Sequence, residues 1–250
     1  MRAEALNGAG ALAHSQGDDA AAAVLLGQSL AARRDLDDPR GVSSSLNNLG
    51  VVARAQGDHA AARTRFEEAL AINRAEGFRA WEALTLNNLG NVAFDLGEDA
   101  AAHDLFQQAL TLQRALGDAR GTAMSLNDLA AVSLRRGDAA LACGLSAEAL
   151  ALQRRISDRA GIAVSLAGLG AVAHARGRAD LAARLFGAAD ALRRALGATL
   201  APAERARHDA TLAAVRADLG PEAFAAAWAA GRSATPDAVA GLAAAAAAAA

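Results

Sequence analysis

Residues 45–50 read SLNNLG. The same hexapeptide returns as TLNNLG at 85–90, as SLNDLA at 125–130 and as SLAGLG at 165–170. The interval is 40 residues each time. The final residue of the motif belongs to a series, Gly10, Gly50, Gly90, Ala130 and Gly170, and four further series keep the same step. They are Gly17, Gly57, Gly97, Gly137, Gly177; Ala22, Ala62, Ala102, Ala142, Ala182; Leu26, Phe66, Phe106, Ser146, Phe186; and Arg34, Arg74, Arg114, Arg154, Arg194. Five positions held in phase over five units define a repeat array, and a repeat fixes the architecture before any other feature does.

Each unit carries the helical period twice. Leu46, Leu49 and Ala53 fall at i, i+3 and i+7, on one face of a first helix, A. Gln56-Gly57-Asp58 follows. Gly57 can close a helix in the left-handed conformation, and Asp58 can cap the next by accepting from its first free N–H groups. Asp18 and Asp138 hold the same place, whereas Arg178 breaks the rule in the fifth unit. Ala62, Phe66, Ala69 and Leu70 then line one face of a second helix, B, which ends near Gly77. Asp38-Pro39 opens the next unit, with Asp118 and Asp158 equivalent to Asp38, and Pro fits a first helical turn. Helices of roughly 16–18 residues, about 25 Å long, are expected. No segment alternates with period two, so the expected fold class is all-α, without strands. Small residues such as Gly50 and Ala62 let the helices of a pair approach, with Leu49 and Phe66 filling between them. One pair cannot bury its apolar face alone, so neighbours must stack.

The bulk numbers narrow the chemistry. Hydrophobic residues make up 53% of the 250, but aromatics only 3%, so the apolar content is largely Ala and the core is thin. All 25 basic residues are Arg. Without Lys the chain has no Walker-type phosphate loop, no Schiff base and no lysine general base. The formal charge of −2 lacks the basic surplus of a nucleic-acid binder. The Arg-rich stretch 176–216 reads as a solvated helix face. Cys143 is the single cysteine, which excludes an intrachain disulfide or thiolate metal site and suits a reducing compartment. No signal peptide is visible after Arg2. The apolar run 238–250 falls short of the ~20 residues of a membrane span. The expectation is a cytoplasmic chain with no membrane and no direct nucleic-acid contact.

The series resembles the tetratricopeptide repeat, whose small and large consensus positions match Leu49, Gly50, Gly57, Ala62, Phe66 and Ala69 and their equivalents over about residues 3–198. Three features depart from the common pattern. The unit has 40 residues rather than 34, Leu46 and Ala53 replace the helix-A aromatics, and Arg74 stands where Pro is usual near the end of helix B. Longer units of this kind resemble those of kinesin light chains and bacterial signalling regulators. The resemblance implies a right-handed superhelical α-solenoid with a concave groove for a peptide or protein partner. The expected units are about 1–38, 39–78, 79–118, 119–158 and 159–198, followed by capping helices over 199–232 and an Ala-rich tail over 233–250. In the cap, Leu212, Val215 and Leu219 share one face of a helix begun by Pro202, and Trp228 acts as a plug four residues after Phe224. The last helix, opened by Thr235-Pro236, is expected to fray into poly-Ala. The run Ala182–Arg232 is similar to the extreme C-terminus of bacterial signal-transduction ATPases and LuxR-type transcriptional regulators. That second likeness implies a sensor portion of such a protein, a reading that a first unit opening at residue 2 or 3 without a preceding cap also suits. A free-standing adaptor is the alternative.

Catalytic and ligand motifs are absent from the reading. Gly8–Ala13 and Gly168–Ala173 match the G-x-G-x-x-A fingerprint, but no strand precedes either, and both fall in the repeat register. His14, His59, His103, His174 and His208 show no metal-ligand spacing, and His59 is expected to face solvent. Cys143 reads as a small buried residue. No enzyme activity, metal or cofactor is expected. What remains is the polar centre of the hexapeptide. Asn47, Asn48, Asn87, Asn88, Asn91, Asn127 and Asp128 flank the core stripe of helix A. In the resembled family helix A lines the concave side, and the position of Asn48 contacts ligand there. An Asn amide both donates and accepts, so it can pair with an extended peptide backbone. Two readings stay open: a partner-binding row, or a ladder in which each Asn bonds to the next helix. In the fifth unit the pair becomes Ala167-Gly168, which would leave any site to the middle units. Arg54, Asp95 and Arg135 could add charge selectivity.

Overall fold

The computed structural model describes residues 1–200 and 202–247. Among them are thirteen α-helices and no strand: α1 (Arg2–Ser15), α2 (Asp19–Asp35), α3 (Pro39–Ala55), α4 (His59–Ala75), α5 (Arg79–Asp95), α6 (Asp99–Leu116), α7 (Ala119–Arg135), α8 (Ala139–Arg155), α9 (Arg159–Ala175), α10 (Ala179–Leu196), α11 (Pro202–Leu219), α12 (Pro221–Arg232) and α13 (Pro236–Ala247). The chain forms two compact units, Met1–Leu116 and Gly117–Ala250. In the first, α1/α2, α3/α4 and α5/α6 pack as pairs, and α2/α3 and α4/α5 join them. In the second, α7/α8 and α9/α10 pair in the same way, and α11, α12 and α13 are added on α10.

The punctuation behaves as its chemistry requires. Asp18, Asp38, Asp58, Asp118, Asp138 and Asp158 each accept from the backbone N–H three residues on, satisfying a donor that the helix leaves free. The A-to-B turn glycines from Gly17 to Gly177 all have φ between 73° and 85°. The B-to-A turn uses the same left-handed region at Gly77 and Gly117, and there Asp37 and Ser157 adopt it without being glycine.

The core repeats with the sequence. Leu26, Phe66, Phe106 and Phe186 are no more than 2% exposed, as are Leu46, Leu86, Leu126 and Leu166. A Cβ added at Gly50 would lie 2.6 Å from Phe66 Cε1, and one at Gly90 would lie 2.5 Å from Phe106 Cε1. Gly10 meets Leu26 in the same way at 2.7 Å, and Gly170 meets Phe186 more loosely at 3.1 Å. The glycine of the hexapeptide is therefore the seat of the ring on helix B.

The last helices close the second unit. α12 approaches α10 backbone to backbone: a Cβ on Gly231 would come 2.0 Å from Arg184 O, and one on Gly187 would come 2.4 Å from Trp228 O. Phe224 and Trp228 stack with centroids 5.6 Å apart, and Arg216 of α11 covers Phe224. Val215 is fully buried, and Leu212 and Leu219 pack beside it. The frayed tail expected after Pro236 is not what residues 236–247 form. They make α13, whose Ala243 and Ala246 are buried against the second unit's core. Backbone recognition supplies the reason: Arg178 donates to Ala245 O at 2.7 Å and Arg176 to Ala246 O at 3.2 Å. Residues 248–250 of the expected tail lie outside the described residues.

Candidate functional site

In the first unit, α1, α3 and α5 are the A helices, and their polar residues meet across the repeats. Asn48 Nδ2 donates to Asn7 Oδ1 at 3.2 Å, and Asn88 Nδ2 donates to Asn47 Oδ1 at 2.8 Å. Asn7 Oδ1 also accepts from Ser45 Oγ at 3.3 Å. The two asparagines of each motif thus differ in kind. Asn47 and Asn87 do not flank the core: they are 6% and 0% exposed, between helices, where unpaired amides would be costly. Gln113 Nε2 donates to Asn87 Oδ1. Asn48, Asn88 and Asn91 stay half-buried with an edge toward solvent. In the second unit Asn127 and Asp128 are half-buried on α7, and Asn127 Oδ1 accepts from Ser165 Oγ at 2.9 Å.

Two sets of residues escaped the sequence reading. Asn7 is the forty-residue equivalent of Asn47, Asn87 and Asn127, and the periodicity alone could have found it. The second set is Arg33, Asn73, Gln113, Gln153 and Arg193, again in strict register, a polar slot near the end of every helix B. Arg33 donates to Gly41 O at 2.7 Å, Asn73 accepts from Ser43 and donates to Thr85, and Gln153 accepts from Ser165. The bonds of Arg33, Asn73, Gln113 and Gln153 tie α2, α4, α6 and α8 to helices A, and their signal was a polar residue inside an otherwise apolar stripe.

Other candidates resolve differently. Arg54 and Asp95 form an ion pair at 2.7 Å with the Asp95 side chain only 4% exposed, so each neutralises the other. Arg135 is exposed on α7. His14 pairs with Asp19 and His174 with Asp218. His59, expected to face solvent, is half-buried, with Nδ1 enclosed and unpartnered among the described residues. Among those residues no group of three or more His, Cys, Asp and Glu side chains could hold a metal ion. No described helix is long and apolar enough to cross a membrane. A hollow of about 460 Å³ opens in the first unit between α1, α3 and the start of α5. Glu4, Asn7, Arg40, Ser44 and Trp81 line it.

Antiparallel helix pairs repeated at forty residues, seated glycine to ring, define an all-α repeat protein of the solenoid class. The chain belongs to the tetratricopeptide repeat family, whose model matches residues 41–115 and 121–201. Membership makes it a protein-interaction scaffold. Solved structures similar to it share the fold. BtubC (BKLC) from P. vanneervenii is 23% identical with a TM-score of 0.63, over 76% of this chain and 79% of that one. A Podosopora anserina protein of nearly identical TPR-like repeats is 19% identical with a TM-score of 0.59, over 79% and 98%. The apo form of RapI is 13% identical with a TM-score of 0.64, over 86% and 83%. No curated protein matches the sequence.

Proposed function

We propose that the A-helix face of the first unit is a groove that binds an extended peptide or protein segment. Asn48, Asn88 and Asn91 act there as backbone-pairing groups, with Asn47 and Asn87 behind them as a buried row. The observation that carries this reading is the asymmetry of the ladder. Asn48 and Asn88 each spend an N–H on the neighbouring repeat while their side chains remain half-exposed. Each amide has a second N–H and an acceptor oxygen to offer. The hollow with Trp81 and Arg40 on its wall adds an aromatic surface and a cation beside that row. On the second unit, Asn127 and Asp128 present the same motif, with a carboxylate in place of the second amide.

The wider setting we infer is the regulatory C-terminal portion of a bacterial signalling ATPase or transcriptional regulator, in the cytoplasm, where groove occupancy would bias the neighbouring module. It rests on the likeness of Ala182–Arg232. A free-standing adaptor fits the same fold. An in-frame extension encoding a phosphate loop upstream of the Met1 codon would support the regulator, and an in-frame stop codon there the adaptor.

The groove is tested by selecting peptides from a displayed library on the full chain. Asn48→Ala with Asn88→Ala is expected to weaken the selected peptide by about tenfold, the worth of one or two hydrogen bonds, with helicity unchanged. A peptide that binds the double variant equally well, while the melting temperature falls, would assign the asparagines to the ladder alone.

A further inference from the structure

Position 33 is where the first unit holds more charge than its packing needs. Asn73, Gln113 and Gln153 fill the same register with neutral amides, and each finds a side-chain partner on a helix A. Arg33 brings a guanidinium to that slot. It is 9% exposed and makes one hydrogen bond among the described residues, to Gly41 O at 2.7 Å. An amide can make that bond. A guanidinium carries five N–H donors, and no described carboxylate lies within ion-pair distance of this one. Asp38, on the same wall, spends Oδ1 on the Gly41 N–H as the cap of α3. A buried cation without a counter-charge is costly to keep.

Arg33 faces the hollow between α1, α3 and the start of α5. That space depends on a glycine. A Cβ at position 41 would lie 2.1 Å from Asp38 Oδ2 and 2.8 Å from Arg33 Nη1. The equivalent residue of α5 is Trp81, whose side chain borders the hollow from the other side. Glu4 and Arg40 stand on the wall without an ion pair, and Asn7 and Ser44 add an amide and a hydroxyl. Elsewhere in this unit Arg34, Arg54, Arg63 and Arg74 each find a carboxylate. Unpaired charges of both signs and one indole thus surround about 460 Å³, a volume within the range of small-molecule sites.

Each wall group selects part of an occupant. Arg33, with Arg40 nearer solvent, takes a carboxylate. Glu4 takes an ammonium group, and Trp81 covers an apolar body. A dianion such as phosphate fits less well, because Glu4 and Asp38 repel it. We propose that the hollow of the first unit is a receptor site for a small free amino acid with an apolar side chain, anchored by its carboxylate on Arg33. This function lies beyond the peptide groove and does not rest on the asparagine row.

The test uses the full chain carrying Trp228→Phe, which leaves Trp81 as the single tryptophan. Its fluorescence is titrated with each free amino acid of apolar side chain, and with the carboxamide and N-acetyl form of each. At least one amino acid is expected to change the emission saturably, and its carboxamide should bind about tenfold more weakly or worse. Arg33→Gln installs the amide that α6 and α8 carry in register, so helicity and melting temperature should hold while affinity falls about tenfold or more. Glu4→Gln should remove the preference for the free amine over the N-acetyl form. Asn88→Ala, outside the hollow, should leave amino-acid binding unchanged, which separates this site from the groove. If Arg33→Gln loses helical signal, Arg40→Ala read by calorimetry replaces it, with a weaker but measurable loss expected. No saturable change with any amino acid at millimolar concentration would overturn the proposal. So would a carboxamide that binds as well as its acid, or affinity unchanged in the arginine variant.

Discussion

Gly50 and Phe66 specify each other. The ring of Phe66 lies where a side chain at position 50 would begin, and the same holds for Gly90 with Phe106, while the contact is looser, 3.1 Å, for Gly170 with Phe186. The fourth unit alters both partners together: Ala130 replaces the glycine and Ser146 replaces the ring. A methyl group there leaves no seat for an aromatic, and Ser146 Oγ is buried without a hydrogen bond among the described residues. Gly50→Ala is therefore expected to destabilise the chain by about 1–3 kcal/mol through overpacking. Adding Phe66→Leu should cost less than the two single changes summed, because the smaller side chain vacates the contested space. Urea unfolding of the double-mutant cycle measures the coupling, and simple additivity would show that residues 50 and 66 do not compete. Both members of this pair stood in the sequence as separate series. That one is the mould of the other is a distance, and only coordinates supply it.

At the scale of single helices, capping followed from residue type, but docking did not. Asp-x-x patterns announced the start of six helices because the cap needs only a short acceptor at one position. α11 shows what local pattern leaves out. His208 packs edge-on to Phe186 with centroids 5.3 Å apart, and its Nε2 accepts from Arg193 at 3.1 Å, which requires the neutral imidazole. Burial and then the Arg193 cation push its pKa below the usual value, and Asp209 and Asp190 oppose them more weakly. The unfolded chain therefore takes up a proton on this residue at higher pH than the folded chain does. The contribution is fully present above the unfolded value of about 6.5 and is lost as pH falls through the lower folded value. Thermal melts between pH 8 and pH 5 should show less loss of stability on acidification in His208→Gln than in the parent. Parallel profiles would remove His208 from the account.

Within each unit, contacts run between successive helices and between alternate ones, as in a repeat stack. Stability in such an array is a sum of local terms and nearest-neighbour interfaces rather than one indivisible core. Leu166→Ala, at a fully buried position of α9, is expected to cost about 2–5 kcal/mol. Hydrogen exchange should rise in α8, α9 and α10 while α1–α4 keep their protection; uniform acceleration along the chain would show a single cooperative block instead. The forty-residue recurrence of Gly, Ala, Phe and the Asp caps determined the helix count per repeat, the turn positions, the core face and the family, because each of those depends on local chemistry or on a period. The asparagines were legible as a special row, but not as a buried half and an exposed half, since Asn47 and Asn48 are the same residue type one step apart. The fate of the alanine tail was illegible for a related reason. Poly-Ala says helix and nothing more, and its docking depends on Arg176, Arg178 and Cys143, some 70 to 100 residues earlier in the chain. Sequence period settles what every unit must share; only packing in three dimensions decides where a unit that departs from the rule sends its side chain.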